Sequence, residues 1–404
     1  MRALIGRPNP RPAMSHHMEL KDYGMSRERG YLSHYEIDEI TLPEQFAPIL
    51  DAAGKLSALL TTGRVRHWLD ALPDPLIGEW VKTAPEEEVR TAMVHYSFLV
   101  QAYVWGEPEP PKHLPANLGR PMCEIADRLG QAPLLPYSGY VLDNWYRLDK
   151  SGPITLDNIA MYQNFFGGAD ENWFVLVHVA IEAEAGVLLD NAAKLVSVAK
   201  DGNAAEATRL LREMDQAWEG IYAHFSRMPE QCDPYIYFHR VRPYIHGWAN
   251  NPALEGGGLI YEGMDRYEGK PQAFRGQTGS QSSIVPAMDA LFQVDHSDDP
   301  LRQFLDELHQ YRPVEHRRFI EDLARQSTLR DFVSGSDNQE LKDAFNACLE
   351  QSARFRTRHL EYAASYINKQ AGSIAGNDPD VGTGGTPFMK YLKKHRDENR
   401  AQVV

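Results

Sequence analysis

The chain has 404 residues, of which 43% are hydrophobic, so it can bury a sizeable core in one large domain or two smaller ones. Its net charge of -14 argues against an extended nucleic-acid or anionic-membrane surface, because such surfaces need clustered lysine and arginine. We therefore expect a small-molecule ligand, and neither a nucleic-acid nor a membrane partner.

The three cysteines, Cys123, Cys232 and Cys348, are too few and too widely spaced for a disulfide framework or a CxxC zinc site. This usage is typical of a reducing compartment, and we expect a cytoplasmic protein. The first residues, MRALIGRPNPRPAMSHH, lack the apolar core of a signal peptide and contain three prolines. They are expected to form a flexible start.

Helical periods dominate the hydrophobic pattern, whereas alternating runs of β-branched residues are scarce and no βαβ rhythm occurs. The predicted fold class is therefore mainly α. In chain order, helices are expected over 43–71, 86–105, 117–130, 155–164, 172–200, 203–226, 234–248, 281–293, 299–310, 314–325 and 337–370. The glycine-rich connections at 251–263, 274–283 and 371–386 are of interest because glycine lets the backbone approach a ligand closely.

The apolar stretch 173–189 is interrupted by His178, Glu182 and Glu184, which predicts a buried helix and not a membrane span. Phe174 and His178 lie one turn apart on one face of this helix. His178 is either a core histidine with a satisfied hydrogen bond or a polar group that faces a cavity. In a cavity it would bind a metal-containing cofactor or orient a bound ligand.

The segment DPYIYFHRVRPYIHGW has two helix-start signals, Asp233 as N-cap and Pro234 at the first helical position. Phe238 and Arg242 follow one turn apart on one face. An aromatic ring beside a guanidinium can receive an aromatic amino acid, whose ring stacks while its carboxylate takes a bidentate pair. The two side chains can equally pack together and form a surface ion pair. Pro243 should kink this helix and leave a carbonyl free.

The helix predicted over 337–370 carries one histidine in its apolar stripe, and Ser336 with Gln339 provides a capping-box start. The stripe consists of Leu341, Phe345, Cys348, Ser352, Phe355, His359, Tyr362 and Tyr366. Arg356 lies one turn before His359 on nearly the same face. This pair suits a haem, since the imidazole would bind iron and the guanidinium would meet a propionate. The alternative is a hydrogen-bonded core histidine beside a snorkelling arginine.

Other motifs give little support to other chemistries. The sequence contains no HExxH, HxH or CxxC pattern for zinc or non-haem iron, and no GxSxG nucleophile elbow. The GTGGT string at 382–386 lacks the GKS/T ending of a phosphate-binding loop and does not follow a strand. Its small residues are expected to close over a ligand pocket instead.

In order and spacing, several strings together resemble the indoleamine 2,3-dioxygenase family of haem enzymes, from about Pro115 to Lys394. The strings are YSGYVLDNW (137–145), FVLVHVAIEA (174–183), YFHRVRPYIHGW (237–248), GLIYEG (258–263), FRGQTGSQSS (274–283), RTRHLEYAASYI (356–367) and GTGGT (382–386). The resemblance implies a mainly helical two-domain fold. A smaller N-terminal domain, residues 1–150, would cover the distal side of a larger domain, residues 151–404, that binds haem b.

The same resemblance implies the cofactor contacts. His359 matches the proximal iron ligand, and Arg356 matches an arginine near a haem propionate. Gly279 and Ser280 fall on the loop that passes over the haem edge, so Ser280 is expected to contact the cofactor and Gly279 the substrate.

The substrate contacts follow in the same way. Arg242 matches the residue that binds the substrate carboxylate, with Phe238 beside it as an apolar wall. Tyr137 and Phe174 match positions around the indole in the distal pocket. Thr383 falls on the GTGGT loop that closes on the substrate.

His178 departs from the family pattern, because the best-known indoleamine dioxygenases carry serine at this position. The related tryptophan 2,3-dioxygenases use a distal histidine that hydrogen-bonds the indole N–H, and we expect His178 to act in this way. Tyr140 and Tyr237 add bulk and hydroxyl groups to the same region. These departures leave the identity of the substrate open.

The implied reaction is cleavage of the indole C2=C3 bond of L-tryptophan by ferrous haem and O2, which gives N-formylkynurenine and requires an electron donor to keep the iron ferrous. One alternative is a haem-dependent monooxygenase that acts on a modified indole. Another is a non-catalytic haem protein, either a sensor or a six-coordinate carrier that uses His178 and His359 together.

Overall fold

The computed structural model describes residues 18–254, 256–295, 300–370 and 389–404, and most of these residues are helical. The predicted mainly α class is confirmed. The expected flexible start and the whole of the last glycine-rich connection lie outside the described residues. Two small sheets occur in the described part of the chain. Strand β1 (His113–Leu114) pairs in parallel with β4 (Ile260–Tyr261), and β2 (Trp145–Arg147) pairs antiparallel with β3 (Ile159–Met161).

The first part of the chain folds into six helices. These are α1 (Ala47–Gly54), α2 (Leu56–Thr61), α3 (Val65–Asp70), α4 (Gly78–Thr83), α5 (Glu86–Trp105) and α6 (Ala116–Leu129). The helix expected over 43–71 is divided into three. Helices α1 and α2 separate at Lys55, and α2 and α3 separate at Gly63, whose positive φ of 65° an α-helix cannot continue through. Helix α4 was not predicted. Helix α5 is buried along nearly its whole length and forms the centre of this part.

The second part contributes ten helices. These are α7 (Ala169–Glu184), α8 (Gly186–Lys200), α9 (Ala204–Ser226), α10 (Pro234–Ile236), α11 (Ile284–Leu291), α12 (Pro300–His309), α13 (Val314–Gln326), α14 (Leu329–Ser334), α15 (Gln339–Ala363) and α16 (Met389–Arg400). Helices α14 and α16 were not predicted. The helix expected over 155–164 is wrong, because residues 159–161 form β3 and pair with β2, and this pairing overrides the local helical period.

Three π-helical segments extend or replace regular helix at separate points: π1 (Ser138–Leu142), π2 (Tyr237–Val241) and π3 (Ala364–Asn368). Segment π2 continues α10 and passes into a 3-10 turn at Arg242–Ile245. Pro243 therefore disturbs this helix as predicted, since it has no N–H to donate to the ladder. The backbone carbonyl of Arg242, which would accept from a backbone N–H in a regular helix, lies 2.9 Å from Nδ1 of His246.

Two predictions of helix starts have different outcomes. Asp233 caps α10 as expected, because its carboxylate accepts hydrogen bonds from the backbone N–H groups of Tyr235 and Ile236. Helix α15 does not start with a Ser336 capping box. Its N-cap is Asn338, whose side-chain oxygen accepts from the Leu341 N–H, while the Ser336 hydroxyl accepts from the Asn338 N–H.

Helices α7 and α8 follow one another over 169–200, a stretch long and apolar enough to cross a membrane by length and composition. In its most apolar window 72% is buried inside the protein, as the prediction of a buried helix requires. The two helices separate at Gly186, where an added Cβ would lie 2.2 Å from the Arg27 carbonyl oxygen. The N-terminal segment is therefore packed directly on the α7–α8 junction.

Buried apolar side chains form one continuous cluster that extends from Met18 to Tyr366. The cluster includes residues on both sides of the expected boundary at residue 150, and that boundary stays a prediction. Cys123, Cys232 and Cys348 are all buried as free thiols.

Candidate active site

A cavity with about 280 Å³ of water-accessible space lies between α7 and α15. Helix α7 lines one side with Phe174, His178 and Glu182, and α15 lines the other with Phe355, Arg356, His359, Tyr362 and Ala363. Further walls come from residues 277–280, Ser282, the start of α11, and Phe225, Arg312 and Tyr366. Two helices predicted to carry polar residues of interest thus face each other across one space.

His359 lies one turn before the end of α15, near the Phe225 ring at a centroid distance of 6.4 Å. Burial, and to a smaller extent the proximity of His178, lower the pKa of its imidazole to about 4. Within the described ranges, no hydrogen bond reaches either ring nitrogen of His359. The side chain is therefore a neutral imidazole with an available lone pair on the cavity surface, which is the form that binds a metal.

Arg356 lines the same wall and is only 5% exposed. Its guanidinium donates to an Asp289 carboxylate oxygen at 2.7 Å and to the Ser352 hydroxyl at 2.7 Å. Asp289 is on α11 and also lines the cavity. The expected positive charge is thus present one turn from His359, and an internal carboxylate already orients it.

His178 faces the cavity from α7. Its Nδ1 is 2.6 Å from the carbonyl oxygen of Phe174. Because a carbonyl only accepts, Nδ1 carries the proton of the neutral ring and Nε2 is an acceptor. Burial lowers the pKa of His178, although the bond to Phe174 opposes this shift. The ring is therefore held neutral, with a defined tautomer.

Glu182 lies one turn beyond His178 and is 1% exposed. One carboxylate oxygen, Oε1, accepts hydrogen bonds from the Tyr137 hydroxyl at 2.7 Å and the Ser282 hydroxyl at 2.6 Å. In the part of the chain that the structure describes, no donor reaches Oε2. Burial raises the pKa of Glu182 to about 7, against the lowering effects of Ser282, Tyr137 and Arg312.

The sequence prediction did not include Glu182 among the site residues, although the signal was available. Phe174, His178 and Glu182 are spaced by four residues, so they share one helix face. Arg312 was also missed. It is buried between α12 and α13, and its guanidinium donates to the backbone carbonyls of Ser280 at 2.8 Å and Ser282 at 3.3 Å. No local pattern marks that long-range contact.

The loop 274–283 is fixed to the rest of the site by its backbone. The N–H groups of Trp248 and Ala249 donate to the Phe274 carbonyl at 2.8 and 2.9 Å. The side-chain amide of Gln281 donates to the Gly276 carbonyl and accepts from the Tyr137 N–H at 3.1 Å. Gly247 is needed here, since an added Cβ would lie 2.1 Å from the Gly276 nitrogen.

Gly279 and Ser280 form the tip of this loop and both line the cavity. Among the described residues, no atom beyond the two chain neighbours of Gly279 lies within 4 Å of the position that a Cβ would take there. The loop therefore presents a small residue to open space, as a loop that passes over a flat ligand would do.

Tyr137 and Phe174 line the cavity, as the positions expected around an aromatic ligand should. The Phe174 ring packs against His178 and Tyr237, each at a centroid distance of 4.7 Å. Tyr140 is fully buried behind Phe174 at 6.4 Å. Of the two tyrosines at positions 140 and 237, therefore, only Tyr237 lines the cavity.

Phe238 and Arg242 do not line the cavity and are both fully buried. The Arg242 guanidinium lies 5.4 Å from the centre of the Phe238 ring, so the expected pairing of these two side chains is present. Tyr237, which precedes Phe238 in π2, does line the cavity. The substrate-binding roles of Phe238 and Arg242 stay predictions, and Thr383 with the GTGGT loop lies outside the described residues.

All three π segments border the cavity. Tyr137 immediately precedes π1, Tyr237 begins π2, and Tyr366 with Ile367 belongs to π3. A π turn widens the helix and changes the direction of its side chains, and such turns are frequent at functional sites. Three of them around one space distinguish this region from the surrounding regular helices.

The cavity between these two helices, with a neutral histidine on each wall, is the candidate active site of a mainly helical enzyme. The family model described as indoleamine 2,3-dioxygenase matches residues 19–402. The chain belongs to this family of oxidoreductases.

Relatives of the same description cover the chain almost completely. Indoleamine 2,3-dioxygenase 1 of Rattus norvegicus is 30% identical over 412 residues, which is 97% of this chain and 98% of the relative. Indoleamine 2,3-dioxygenase 2 of Homo sapiens is 29% identical over 411 residues and 98% of each chain. Indoleamine 2,3-dioxygenase of Saccharomyces cerevisiae is 29% identical over 387 residues, 85% of this chain and 84% of the relative.

Proposed function

We propose that this protein uses haem b, bound through His359, to cleave the indole C2=C3 bond of L-tryptophan with O2 and form N-formylkynurenine. The observation that carries the proposal is the pair of neutral imidazoles on opposite walls of one buried cavity. Among the described residues, no hydrogen bond reaches the ring nitrogens of His359, and only Nδ1 of His178 has a partner, which leaves Nε2 of His178 as an acceptor. Family membership supports a dioxygenase that acts on indoles.

The residues present fit a haem. In the described ranges, no group of three or more histidine, cysteine, aspartate or glutamate side chains is arranged to hold a metal ion. A single available imidazole therefore suits a metal that brings its other ligands in a macrocycle. Arg356 would meet a propionate while Asp289 holds it in place, and Ser280 would contact the cofactor edge. Bound haem would supply ferrous iron that activates O2.

Protein groups would bind and orient the substrate. Arg242 would pair with the tryptophan carboxylate through a charge-assisted hydrogen bond, and Phe238 holds the guanidinium through a cation–π contact. Tyr137 and Phe174 would enclose the indole, and Gly279 and Thr383 would approach it from two loops. The mostly apolar walls would exclude water, which keeps the substrate in one pose.

His178 would accept a hydrogen bond from the indole N–H. Its tautomer supports this role, because the bond from Nδ1–H to the Phe174 carbonyl leaves Nε2 as the only acceptor of the ring. The lowered pKa keeps that acceptor available near neutral pH. A separate electron donor would keep the iron ferrous, and we propose that the protein works in the cytoplasm.

The test is a single-turnover experiment with the haem-loaded protein. The protein is reduced without oxygen, mixed with L-tryptophan and then exposed to O2. We expect the absorbance of N-formylkynurenine to appear and the product mass to exceed that of tryptophan by two oxygen atoms. A gain of one oxygen atom would replace the proposal with a monooxygenase, and unchanged tryptophan would refute both.

One observation favours a second candidate, a six-coordinate haem carrier. His178 and His359 line the same cavity, and the lone pair of each is available to a metal. If both bind iron, the ferric protein should show a low-spin bis-histidine spectrum that tryptophan does not alter. A ferric spectrum that changes on addition of tryptophan would exclude the carrier.

A further inference from the structure

The guanidinium of Arg356 is held from two sides. The Asp289 carboxylate on α11 accepts a hydrogen bond from one terminal nitrogen at 2.7 Å, and the Ser352 hydroxyl accepts from the other at 2.7 Å. Ser352 lies one turn before Arg356, so both residues are on one face of α15. An arginine side chain has several rotatable bonds, and two fixed partners select one of its rotamers.

The last helix of the chain supplies a second donor to Ser352. Nδ2 of Asn399, on α16, donates to the Ser352 hydroxyl oxygen at 3.2 Å. A hydroxyl oxygen offers two acceptor positions, and Arg356 and Asn399 together occupy both. The Ser352 hydroxyl is thereby kept from turning toward a carbonyl of its own helix, which is the usual alternative for a serine inside a helix. Asn399 thus acts on Arg356 through Ser352.

The end of the chain is fixed in one register, which brings Asn399 to Ser352. The side-chain amide of Asn346 on α15 donates to the Val404 carbonyl and accepts from the Val404 N–H, both at 2.9 Å. The side-chain amide of Gln402 makes a similar exchange with the backbone of Asp295, at 2.7 and 2.8 Å. These two-way hydrogen bonds specify the position of the residues that follow α16.

The burial of Asn399 is not explained by its own hydrogen bonding. The residue is 0% exposed, and in the described part of the chain no donor reaches its Oδ1. A buried oxygen without a donor destabilises a fold, whereas a leucine of similar volume would avoid that cost. Among the described residues, the side chain of Asn399 hydrogen-bonds to Ser352 alone. Its contribution is therefore to Ser352 and Arg356.

We propose that Asn399 is a positioning residue of the cofactor site: through Ser352, it holds the Arg356 guanidinium where a haem propionate is received. The inference rests on the proposed function, in which Arg356 meets the cofactor, and it extends the cofactor site to the last helix of the chain. Asn399 does not line the cavity. Its loss should therefore loosen haem without changing the ligand of the iron.

The experiment measures the rate at which the haem-loaded protein releases haem to an excess of apomyoglobin. Asn399→Leu should release haem about fivefold faster than the wild type, the effect of one neutral hydrogen bond. Arg356→Leu should release it about tenfold faster or more, since it removes a charge-assisted contact. The Soret band of Asn399→Leu should match that of the wild type, because His359 is unchanged.

Arg400→Gln is the matched control. Arg400 is the next residue on α16 and forms an ion pair with Glu350 on α15, at 2.6 Å, but both side chains are about half exposed. An exposed pair contributes little to the docking of a helix. This variant should therefore keep the wild-type rate of haem release.

Two further comparisons separate positioning from a general loosening of α16. In a Ser352→Ala background, adding Asn399→Leu should not speed release further, because the path to Arg356 is already broken. The dimethyl ester of haem has neutral propionates, so Asn399→Leu and the wild type should release it at equal rates. If the leucine variant does not fold, Asn399→Ala removes the same donor and replaces it in each comparison.

Arginine-selective NMR gives a reading that does not depend on haem release. The protein is reduced under carbon monoxide, which makes any bound haem diamagnetic. Hydrogen bonds to both terminal nitrogens of Arg356 slow the rotation of its guanidinium, so the wild type should show separate signals for them, assigned with Arg356→Leu. Asn399→Leu should merge or broaden these signals, and Arg400→Gln should not.

The outcomes distinguish this inference from the proposed function. A wild-type release rate in Asn399→Leu, with faster release in Arg356→Leu, overturns the role of Asn399 alone. Equal acceleration in Asn399→Leu and Arg400→Gln, or faster release of the ester from Asn399→Leu, overturns it as well. If the wild type binds no haem, the proposed function fails, and the NMR comparison still decides whether Asn399 orients Arg356.

Discussion

Helices α7 and α15 face each other across the cavity, and each presents a neutral histidine to it, yet the two rings are held differently. His178 donates from Nδ1 to a carbonyl of its own helix, so its tautomer and orientation are fixed. His359 makes no hydrogen bond within the described residues and is held by packing against Phe225. The first arrangement prepares an acceptor, and the second leaves a lone pair for a ligand bond.

The charged side chains one turn away from the two histidines, Arg356 on α15 and Glu182 on α7, also differ. On α15, the guanidinium of Arg356 forms an ion pair with Asp289 at 2.7 Å. On α7, Glu182 has only two hydroxyl donors, and burial moves its pKa to about 7. One wall therefore carries an arginine that an internal carboxylate holds in place, whereas the other carries a carboxyl group that can hold or release a proton near neutral pH.

Removing the imidazole of His359 on α15 should have the largest effect of the substitutions that test this difference between the two walls. In His359→Ala we expect almost no bound haem after purification, because no other described side chain on that wall can take its place. Haem content and the Soret band measure the loss. His224→Ala, on neighbouring α9, is the control and should retain haem. An unaltered Soret band in His359→Ala would contradict the ligand assignment.

The next largest effect is expected at Arg242, which lies on neither of these two walls. Arg242→Ala should lower kcat/KM for tryptophan by roughly ten- to a hundredfold or more, since it removes a charge-assisted hydrogen bond, while the haem spectrum stays normal. Steady-state kinetics with matched haem content provide the measurement. Arg240→Ala, which removes the exposed neighbour stacked on Phe166, should change the kinetics little. Unchanged kinetics in Arg242→Ala would refute its binding role.

The α7 wall can be tested through the pH dependence of stability. The folded protein binds the Glu182 proton more tightly than the unfolded chain does, because the pKa rises from 4.5 to about 7. This contribution is fully present below pH 4.5 and is lost as the pH rises through about 7. Relative to Glu182→Gln, the wild-type unfolding free energy should therefore fall by about 1 kcal/mol between pH 6 and pH 8.

Urea unfolding of both proteins at the two pH values, with equal haem content, measures this difference. Titrations elsewhere in the chain are common to both proteins and cancel. Parallel pH dependence of wild type and Glu182→Gln would mean that Glu182 titrates alike in the folded and unfolded states.

The smallest effect concerns the tautomer of His178. Methylation of the indole nitrogen removes the donor, so it should reduce kcat/KM of the wild-type enzyme about fivefold more than that of His178→Ser, the value of one neutral hydrogen bond. The measurement compares 1-methyltryptophan with tryptophan in both proteins. If methylation is tolerated equally, the hydrogen bond from indole to His178 does not contribute.

Much of the fold could be predicted because strong helical periods survive tertiary packing. The long helices α5, α9 and α15 follow from their apolar stripes, as does the buried α7–α8 pair. The failures occur where local pattern competes with long-range pairing: residues 159–161 join a strand, and the short helices α4 and α14 carry too few turns to show a period.

By itself, the sequence determined that Phe174 and His178 share one helix face, that Arg356 and His359 share another, and that Arg242 follows Phe238 by one turn, because helical spacing fixes neighbours within a segment. Only the tertiary structure decided that α7 and α15 enclose one cavity and that Tyr137 and Ser282 meet Glu182 from distant segments. It also decided that Tyr237 and not Phe238 lines the cavity. Those contacts depend on π turns and on chain segments far apart in sequence, which no local period encodes.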